Sequence, residues 1–178
     1  FVAEPFNIPS GSMKPNLLVG DFIFVSKWSY GYSKHSLPFS LPLIPNKIFS
    51  KLPARGDIVV FKTPNDNRTD YIKRVIGLPG DRIQVRFGFL HINGKPVRRL
   101  KIEEFEFPDG FHAGDRVAQY IETLPNGSRH RLIEMFGDRL DGDGGRPNYD
   151  NTREWLVPAN HYFVMGDNRD NSSDSLSL

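Results

Sequence analysis

Apolar positions in this chain come in short β-branched and aromatic runs, cut by glycine, proline, asparagine or aspartate. They do not recur at the three-to-four-residue spacing of an amphipathic helix. The run Asp21-Phe22-Ile23-Phe24-Val25-Ser26-Lys27-Trp28 predicts a strand buried on both faces at its start. Ile58-Val59-Val60-Phe61 predicts a short buried strand after the turn Arg55-Gly56-Asp57. Thr69-Asp70-Tyr71-Ile72-Lys73-Arg74-Val75-Ile76 reads as a strand, turned sharply by Gly77-Leu78-Pro79-Gly80-Asp81. Residues 82–87 and 89–92 predict two more, and Asn93-Gly94 is the strongest short hairpin signal in the chain. Residues 116–122 and 129–135 alternate polar and apolar about Leu124-Pro125-Asn126-Gly127, which predicts a hairpin with one wet face. Glu154-Trp155-Leu156-Val157-Pro158 and His161-Tyr162-Phe163-Val164-Met165 are the last strands expected.

Between these runs lie segments of another texture. Residues 30–53 are broken by Pro38, Pro42, Pro45 and Pro53 yet stay apolar, so they are expected to pack on the core or meet a membrane surface. Residues 63–70, 101–114 and 138–150 read as irregular polar connections, and 166–175 as a dense polar loop. No repeat and no convincing helix emerges. The fold class expected is mainly β.

Composition narrows this further. A length of 178 residues suits one domain, or a core with a large insertion. Hydrophobic content of 38% with 14 Phe can build a core, and 16 Gly with 14 Pro supply the turns a β-rich fold needs. A net charge of +2 implies no strong pull toward nucleic acid, and Arg98-Arg99 is expected to be a solvated pair. Without cysteine, a disulfide framework, a thiolate nucleophile and a Cys-ligated zinc are excluded. No run approaches the ~18 apolar residues of a membrane span, and the opening residues lack a signal-peptide pattern. Both ends are expected to be truncations.

The chemistry-bearing candidates are few. Asn7-Ile8-Pro9-Ser10-Gly11-Ser12-Met13-Lys14-Pro15 sets two hydroxyls around a glycine with a proline on each side, a composition suited to a rigid exposed turn. Asp141-Gly142-Asp143-Gly144-Gly145 invites a calcium reading, but Gly145 and Thr152 stand where an EF-hand loop needs oxygen ligands. The five histidines show no metal-ligand spacing and sit in plain strand or loop contexts, which predicts surface or filler roles. Lys73 is different. Strand alternation places it with Tyr71 and Val75, opposite Ile72, Arg74 and Ile76, so one of two adjacent cations is expected to face the interior. A buried lysine avoids the cost of its charge by losing its proton, and a neutral lysine is a general base. The other reading is a lysine that snorkels from an edge strand.

Three blocks together go further. They are Pro9-Ser10-Gly11-Ser12-Met13-Lys14-Pro15, Tyr71-Ile72-Lys73-Arg74-Val75-Ile76-Gly77-Leu78-Pro79-Gly80-Asp81 and Gly166-Asp167-Asn168-Arg169-Asp170-Asn171-Ser172-Ser173-Asp174-Ser175. In this order they resemble the signature boxes of bacterial type I signal peptidases (leader peptidases). The resemblance implies a signal-peptidase-like antiparallel β-sheet core, residues 1–81 and 161–178, carrying a β-rich insertion at 82–160. It implies Ser12 as nucleophile, Lys73 as general base, and Ser10 with the Ser12 N–H as oxyanion donors. Ser172 would orient Lys73. Arg74 and Asp167 would form a structural ion pair near the site, with Asp174 beside them, and Lys14 would be a solvated neighbour. Phe6, Ile8, Met13, Leu17, Val60, Tyr71 and Ile72 would line shallow substrate pockets.

The activity implied is removal of signal peptides from exported preproteins after small residues, at the extracytoplasmic face of the cytoplasmic membrane. Contact with lipid, no nucleic acid, no metal or cofactor, and a monomer are expected with it, and the family's membrane anchor is expected to be absent from this chain. Two positions depart from the family pattern: Asn16 where threonine is usual, and Leu176 where arginine pairs with the acid matching Asp174. Two other classes compete. A self-cleaving repressor-type Ser–Lys protease would carry a nucleic-acid-binding segment, and none is evident. A truncated or inactive peptidase-like β-module would be favoured by loss of Ser12 or Lys73, and both are present.

Overall fold

A computed structural model describes residues 3–26, 52–62, 69–108, 112–135 and 150–176. The apolar run at 30–51, the loop at 63–68 and the Gly/Asp-rich stretch at 136–149 lie outside the described residues. Thirteen strands run through the described part: β1 (Ala3–Asn7), β2 (Phe22–Ser26), β3 (Ile58–Lys62), β4 (Asp70–Gly77), β5 (Arg82–Arg86), β6 (Phe89–Ile92), β7 (Lys95–Pro96), β8 (Arg98–Lys101), β9 (Phe105–Glu106), β10 (Arg116–Thr123), β11 (Arg129–Glu134), β12 (Trp155–Leu156) and β13 (Phe163–Met165). Among the described residues the one helical element is a 3-10 turn, Gly11–Met13. The fold is mainly β, as expected, and every strand pair is antiparallel. No helix among these residues is long and apolar enough to cross a membrane.

Four small sheets result, in the orders β1-β2, β13-β4-β3, β12-β5-β6-β7 and β11-β10-β8, with β9 also pairing β10. The Asn93-Gly94 turn joins β6 to β7 with positive φ at both residues, the backbone that such a turn requires. β4 is flanked on both sides, and all its residues from Ile72 to Gly77 are buried. Both Lys73 and Arg74 are therefore interior, not one of the two. The largest apolar cluster joins Ile76, Phe163 and Met165 to Ile83, Leu90, Ile92, Val97, Leu124 and Val157. It runs without a break from β4 and β13 to the strands and turns in the middle of the chain.

Four expectations need correction. Phe22 and Phe24 are 75% and 78% exposed, so β2 is not buried on both faces. It belongs to a two-stranded ribbon, and no described element covers that side. β3 is only partly buried because it is the edge of its sheet. The β10–β11 hairpin is wet only on the face of Arg129 and Arg131 near its turn, while Glu122, His130 and Glu134 are all buried on the other. The cause lies far away in sequence. Segment 167–169 lays itself along β11, with Ile133 N–H donating to Asp167 O (3.0 Å) and Arg169 N–H to Ile133 O (3.1 Å). Arg99 is not solvated. Its guanidinium lies between the rings of Phe89 and Tyr120, 4.0 and 4.4 Å from their centroids, and pairs with Glu134.

Candidate active site

The rigid turn expected at 10–15 is the 3-10 turn with its flanks. Lys14 N–H closes on Gly11 O (3.1 Å), and the N–H groups of Asn16 and Leu17 both close on Met13 O (3.0 Å each). The Lys14–Pro15 peptide is cis. Beneath the turn Ile8 and Met13 pack on Ile72 of β4, with Phe6, Leu17, Ile23 and Val60 around them. That apolar contact seats Ser12 against β4. Six of the seven candidate pocket residues meet in this cluster. Ile8, Met13 and Ile72 are sealed from solvent and form its floor, while Phe6, Leu17 and Val60 are partly exposed. The seventh, Tyr71, meets Phe61 edge-on at 6.1 Å.

Lys73 Nζ lies 2.8 Å from Ser12 Oγ, and both side chains are buried. The two residues are 61 positions apart in sequence. Among the described residues no carboxylate reaches ion-pair distance of this amine. Burial dominates its titration and pushes the lysine below its ordinary value of 10.5, against the opposing charges of Asp174 and Asp167. A buried lysine held in this way donates a proton easily and accepts one from a hydroxyl at hydrogen-bond range. Ser10 Oγ stands 3.3 Å from Ser12 Oγ on the exposed side of the turn.

Arg74 points the other way and meets a different partner. Its Nε donates to Asp167 Oδ1 and its Nη2 to Asp167 Oδ2, both at 2.8 Å, while Nη1 donates to Gly56 O at 2.7 Å. This is a two-pronged buried ion pair, the arrangement a planar guanidinium favours. Asn16 Nδ2 donates to both Asp167 Oδ2 and Arg131 O, each at 2.7 Å. The departure from threonine at this position thus has a structural use: an amide spans two acceptors that a single hydroxyl donor cannot both serve.

The loop after β13 closes the site from behind. Asn168 N–H donates to Ser12 O (3.0 Å), and its Nδ2 to Gly11 O (3.3 Å). Asp174 Oδ2 accepts from Gly166 N–H (2.9 Å) and its Oδ1 from Leu176 N–H (3.0 Å). Leu176 packs against the largest apolar cluster. Gly166 is required by proximity, since a Cβ there would come within 2.3 Å of Ser172 Oγ and 2.6 Å of Ser12 O. Ser172 therefore lies beside the turn, but its buried Oγ makes no hydrogen bond to Lys73 or to any other described group. Lys14 is not a solvated neighbour. It is buried, with its ammonium 5.0 Å from the Phe107 ring centroid, because the Phe105–Phe107 segment folds over the turn.

Sequence reasoning did not single out Asn168, Gly166, Glu122 or His130. The first two stand inside a motif already noted and carried no separate signal. Glu122 and His130 look in sequence like the polar half of an ordinary hairpin; only the segment that covers them makes them interior. Among the described residues no group of three or more His, Asp or Glu side chains is placed to hold a metal ion.

Comparison with known proteins places these residues in context. The family described as signal peptidase, peptidase S26, matches residues 1–177. Signal peptidase I of Rickettsia typhi is 44% identical over 179 aligned residues, covering 98% of this chain, and that of Rickettsia prowazekii is 43% identical over the same span. The chain spans 64% of the length of each. A crystal structure of a signal peptidase I from Enterococcus faecalis V583 aligns with 71% of this chain and 86% of its own, at 24% identity and a TM-score of 0.37.

Proposed function

The chain belongs to the signal peptidase family, peptidase S26, and from that premise we propose that it is a serine endopeptidase that removes N-terminal signal peptides from exported preproteins. The observation that carries the reading is the 2.8 Å contact between Lys73 Nζ and Ser12 Oγ, buried and free of any carboxylate at ion-pair distance among the described residues. A hydroxyl beside an amine whose proton burial makes easier to lose is the arrangement a Ser–Lys nucleophile needs.

In the acylation step Ser12 Oγ attacks the scissile carbonyl carbon while its proton passes to Lys73 Nζ. The tetrahedral oxyanion is met by the hydroxyl of Ser10 and the N–H of Ser12. The C–N bond then breaks, and the Lys73 ammonium returns the proton to the leaving amine. A water attacks the acyl-enzyme as Lys73 takes its proton, and the new carboxyl-ended signal peptide leaves with Ser12 restored. Ser172 brings an unused hydroxyl to this neighbourhood through its contact with Gly166. The Arg74–Asp167 pair, with Asp174, holds strand and loop together behind the dyad. The rim formed by Phe6, Leu17, Val60 and Tyr71 would take the small side chains before the cut.

On this reading residues 1–81 and 161–178 form the catalytic core, and 82–160 the insertion. The enzyme acts as a monomer at the extracytoplasmic face of the cytoplasmic membrane and needs neither metal nor nucleic acid. The exposed rings of Phe22 and Phe24 suit contact with lipid. The test is incubation of the protein with a synthetic peptide spanning a signal-peptide junction, in detergent, with the products mapped by mass spectrometry. A single cut after a small-x-small sequence, absent with Ser12→Ala, is expected. No cut, or an unchanged cut with Ser12→Ala, overturns the proposal.

A further inference from the structure

The β10–β11 hairpin touches the Ser12 turn only through the Arg131 carbonyl, which accepts from Asn16, yet it buries Glu122, His130 and Glu134. Glu122 of β10 is 1% exposed. Arg169 Nη2 donates to Glu122 Oε2 at 2.6 Å. Strand register sets Glu122 across from His130, whose Nε2 is 3.3 Å from Glu122 Oε2 and 3.9 Å from Asp167 Oδ1. Neither ring nitrogen makes a well-directed hydrogen bond, and Arg169 Nε makes none. Among the described residues Glu122 is the one carboxylate in ion-pair contact with Arg169.

Three consecutive residues connect this cluster to the dyad. Asp167 and Arg169 are fastened to β11 through the backbone of Ile133, and Arg169 to Glu122 through its side chain. Asn168 between them faces the other way and holds the carbonyls of Ser12 and Gly11. Asp167 holds Arg74, the neighbour of Lys73. A shift of Arg169 is thus passed to both halves of the dyad within one residue.

We propose that Glu122, with His130, is a positioning residue for the Ser12–Lys73 pair, anchoring Arg169 on the β10–β11 hairpin so that Asn168 and Asp167 stay in register with Ser12 and β4. The inference rests on the dyad reading above. Burial works against the Glu122 charge, and the Arg169 guanidinium with His130 overcomes it, holding the carboxyl down to about 2. Burial likewise works against the Arg169 charge, and Glu122 more than offsets it.

Removing the Glu122 charge has two consequences. The anchorage loosens, which lowers turnover. It also leaves the Arg169 charge uncompensated close to Asp167, weakening the field by which Asp167 keeps Lys73 protonated. The other charged groups packed here are Lys73 and Arg74 of β4, Arg99 of β8, and His130 and Glu134 of β11. The loop behind adds Asp170, whose carboxylate accepts from Met135 N–H, and Asp174. A Glu122 that merely supported the fold would produce the first consequence without the second.

The test measures kcat and KM against pH on the signal-junction peptide in detergent for Glu122→Gln, the double variant Glu122→Gln/Arg169→Gln, and Glu154→Gln as an exposed control. For Glu122→Gln we expect kcat to fall ~10-fold with KM within about twofold, on the scale of a small misplacement of reacting groups. The acid limb of kcat/KM should move to lower pH by about half a unit, the size of one screened charge. In the double variant the limb should return while kcat stays low, and the control should match the parent chain. Wild-type kcat and limb in folded Glu122→Gln overturn the inference, as does a loss of kcat that only tracks the folded fraction. If Glu122→Gln does not fold, the double variant decides, because a neutral hydrogen-bonded pair often replaces a buried ion pair without loss; wild-type kcat there overturns the inference equally. Failure of the dyad reading is distinct: Ser12→Ala would then still cleave.

Discussion

Lys73 and Arg74 are consecutive in β4, both buried, and face opposite sides of the strand, yet their surroundings differ in kind. Arg74 meets a carboxylate through two parallel hydrogen bonds and a carbonyl through a third. Lys73 meets one neutral hydroxyl. A guanidinium does not lose its proton in a protein, so a buried one is tolerable only with full compensation. An ammonium can lose its proton, and leaving it without a carboxylate partner makes burial push it toward the neutral amine. One strand thus carries a structural cation and a base, separated by what each face provides.

The largest effect expected from breaking this contrast is on the lysine face. Lys73→Ala and Ser12→Ala should each lower kcat/KM by roughly 10⁴-fold or more, as loss of a member of a nucleophile–base pair does, with the fold retained by circular dichroism. On the arginine face the expected loss is of stability. Asp167→Ala strands a buried guanidinium and should cost ~3–5 kcal/mol in denaturant unfolding; a cost below about 1 kcal/mol would mean that Arg74 finds another partner. Ser10→Ala should raise the barrier by ~2.7–4 kcal/mol, seen in kcat more than in KM.

The smallest effect sharpens the contrast most. Lys73→Met should stabilise the protein at neutral pH by on the order of 1 kcal/mol, the usual size of a relieved unfavourable group. The sign follows from linkage. The folded-state pKa of Lys73 lies below its unfolded value of 10.5, so between the two the unfolded chain holds a proton that the native one does not. Lys73 therefore makes stability rise with pH through that window, and Lys73→Met should remove this slope in thermal scans. Glu122 carries a dependence of the same sign in a more acid window, since its depressed carboxyl contributes stability that is lost as pH falls from about 4.5 toward about 2.

The division between legible and illegible features follows the range of the interactions that decide them. The β4 strand and the Asn93-Gly94 turn depend on their own residues, and both are plain in sequence. The exposure of Phe22 and Phe24 depends on whether another layer covers their ribbon, which no local pattern reports. Arg99 looks like half of a solvated pair until Phe89, Tyr120 and Glu134 close around it. Glu122 and His130 alternate as a wet face should, and become interior because residues 167–169 pair with β11, more than thirty positions further on. Lys14 looked solvated because nothing local predicts that Phe107 lies over it. Ser12 and Lys73 were linked in sequence only by resemblance; their contact depends on the Ile8–Met13–Ile72 packing that seats the turn on β4.

The central claim concerns the proton on Lys73, and the most direct measurement is a titration of that side chain by NMR, with lysine labelled at Cε and Nζ and Lys73→Met used to assign the signal. A midpoint well below the ordinary 10.5, moving with Asp167→Asn but not with Glu154→Gln, is the result predicted. A midpoint at or above 10.5 would leave Ser12 without a base and contradict the account.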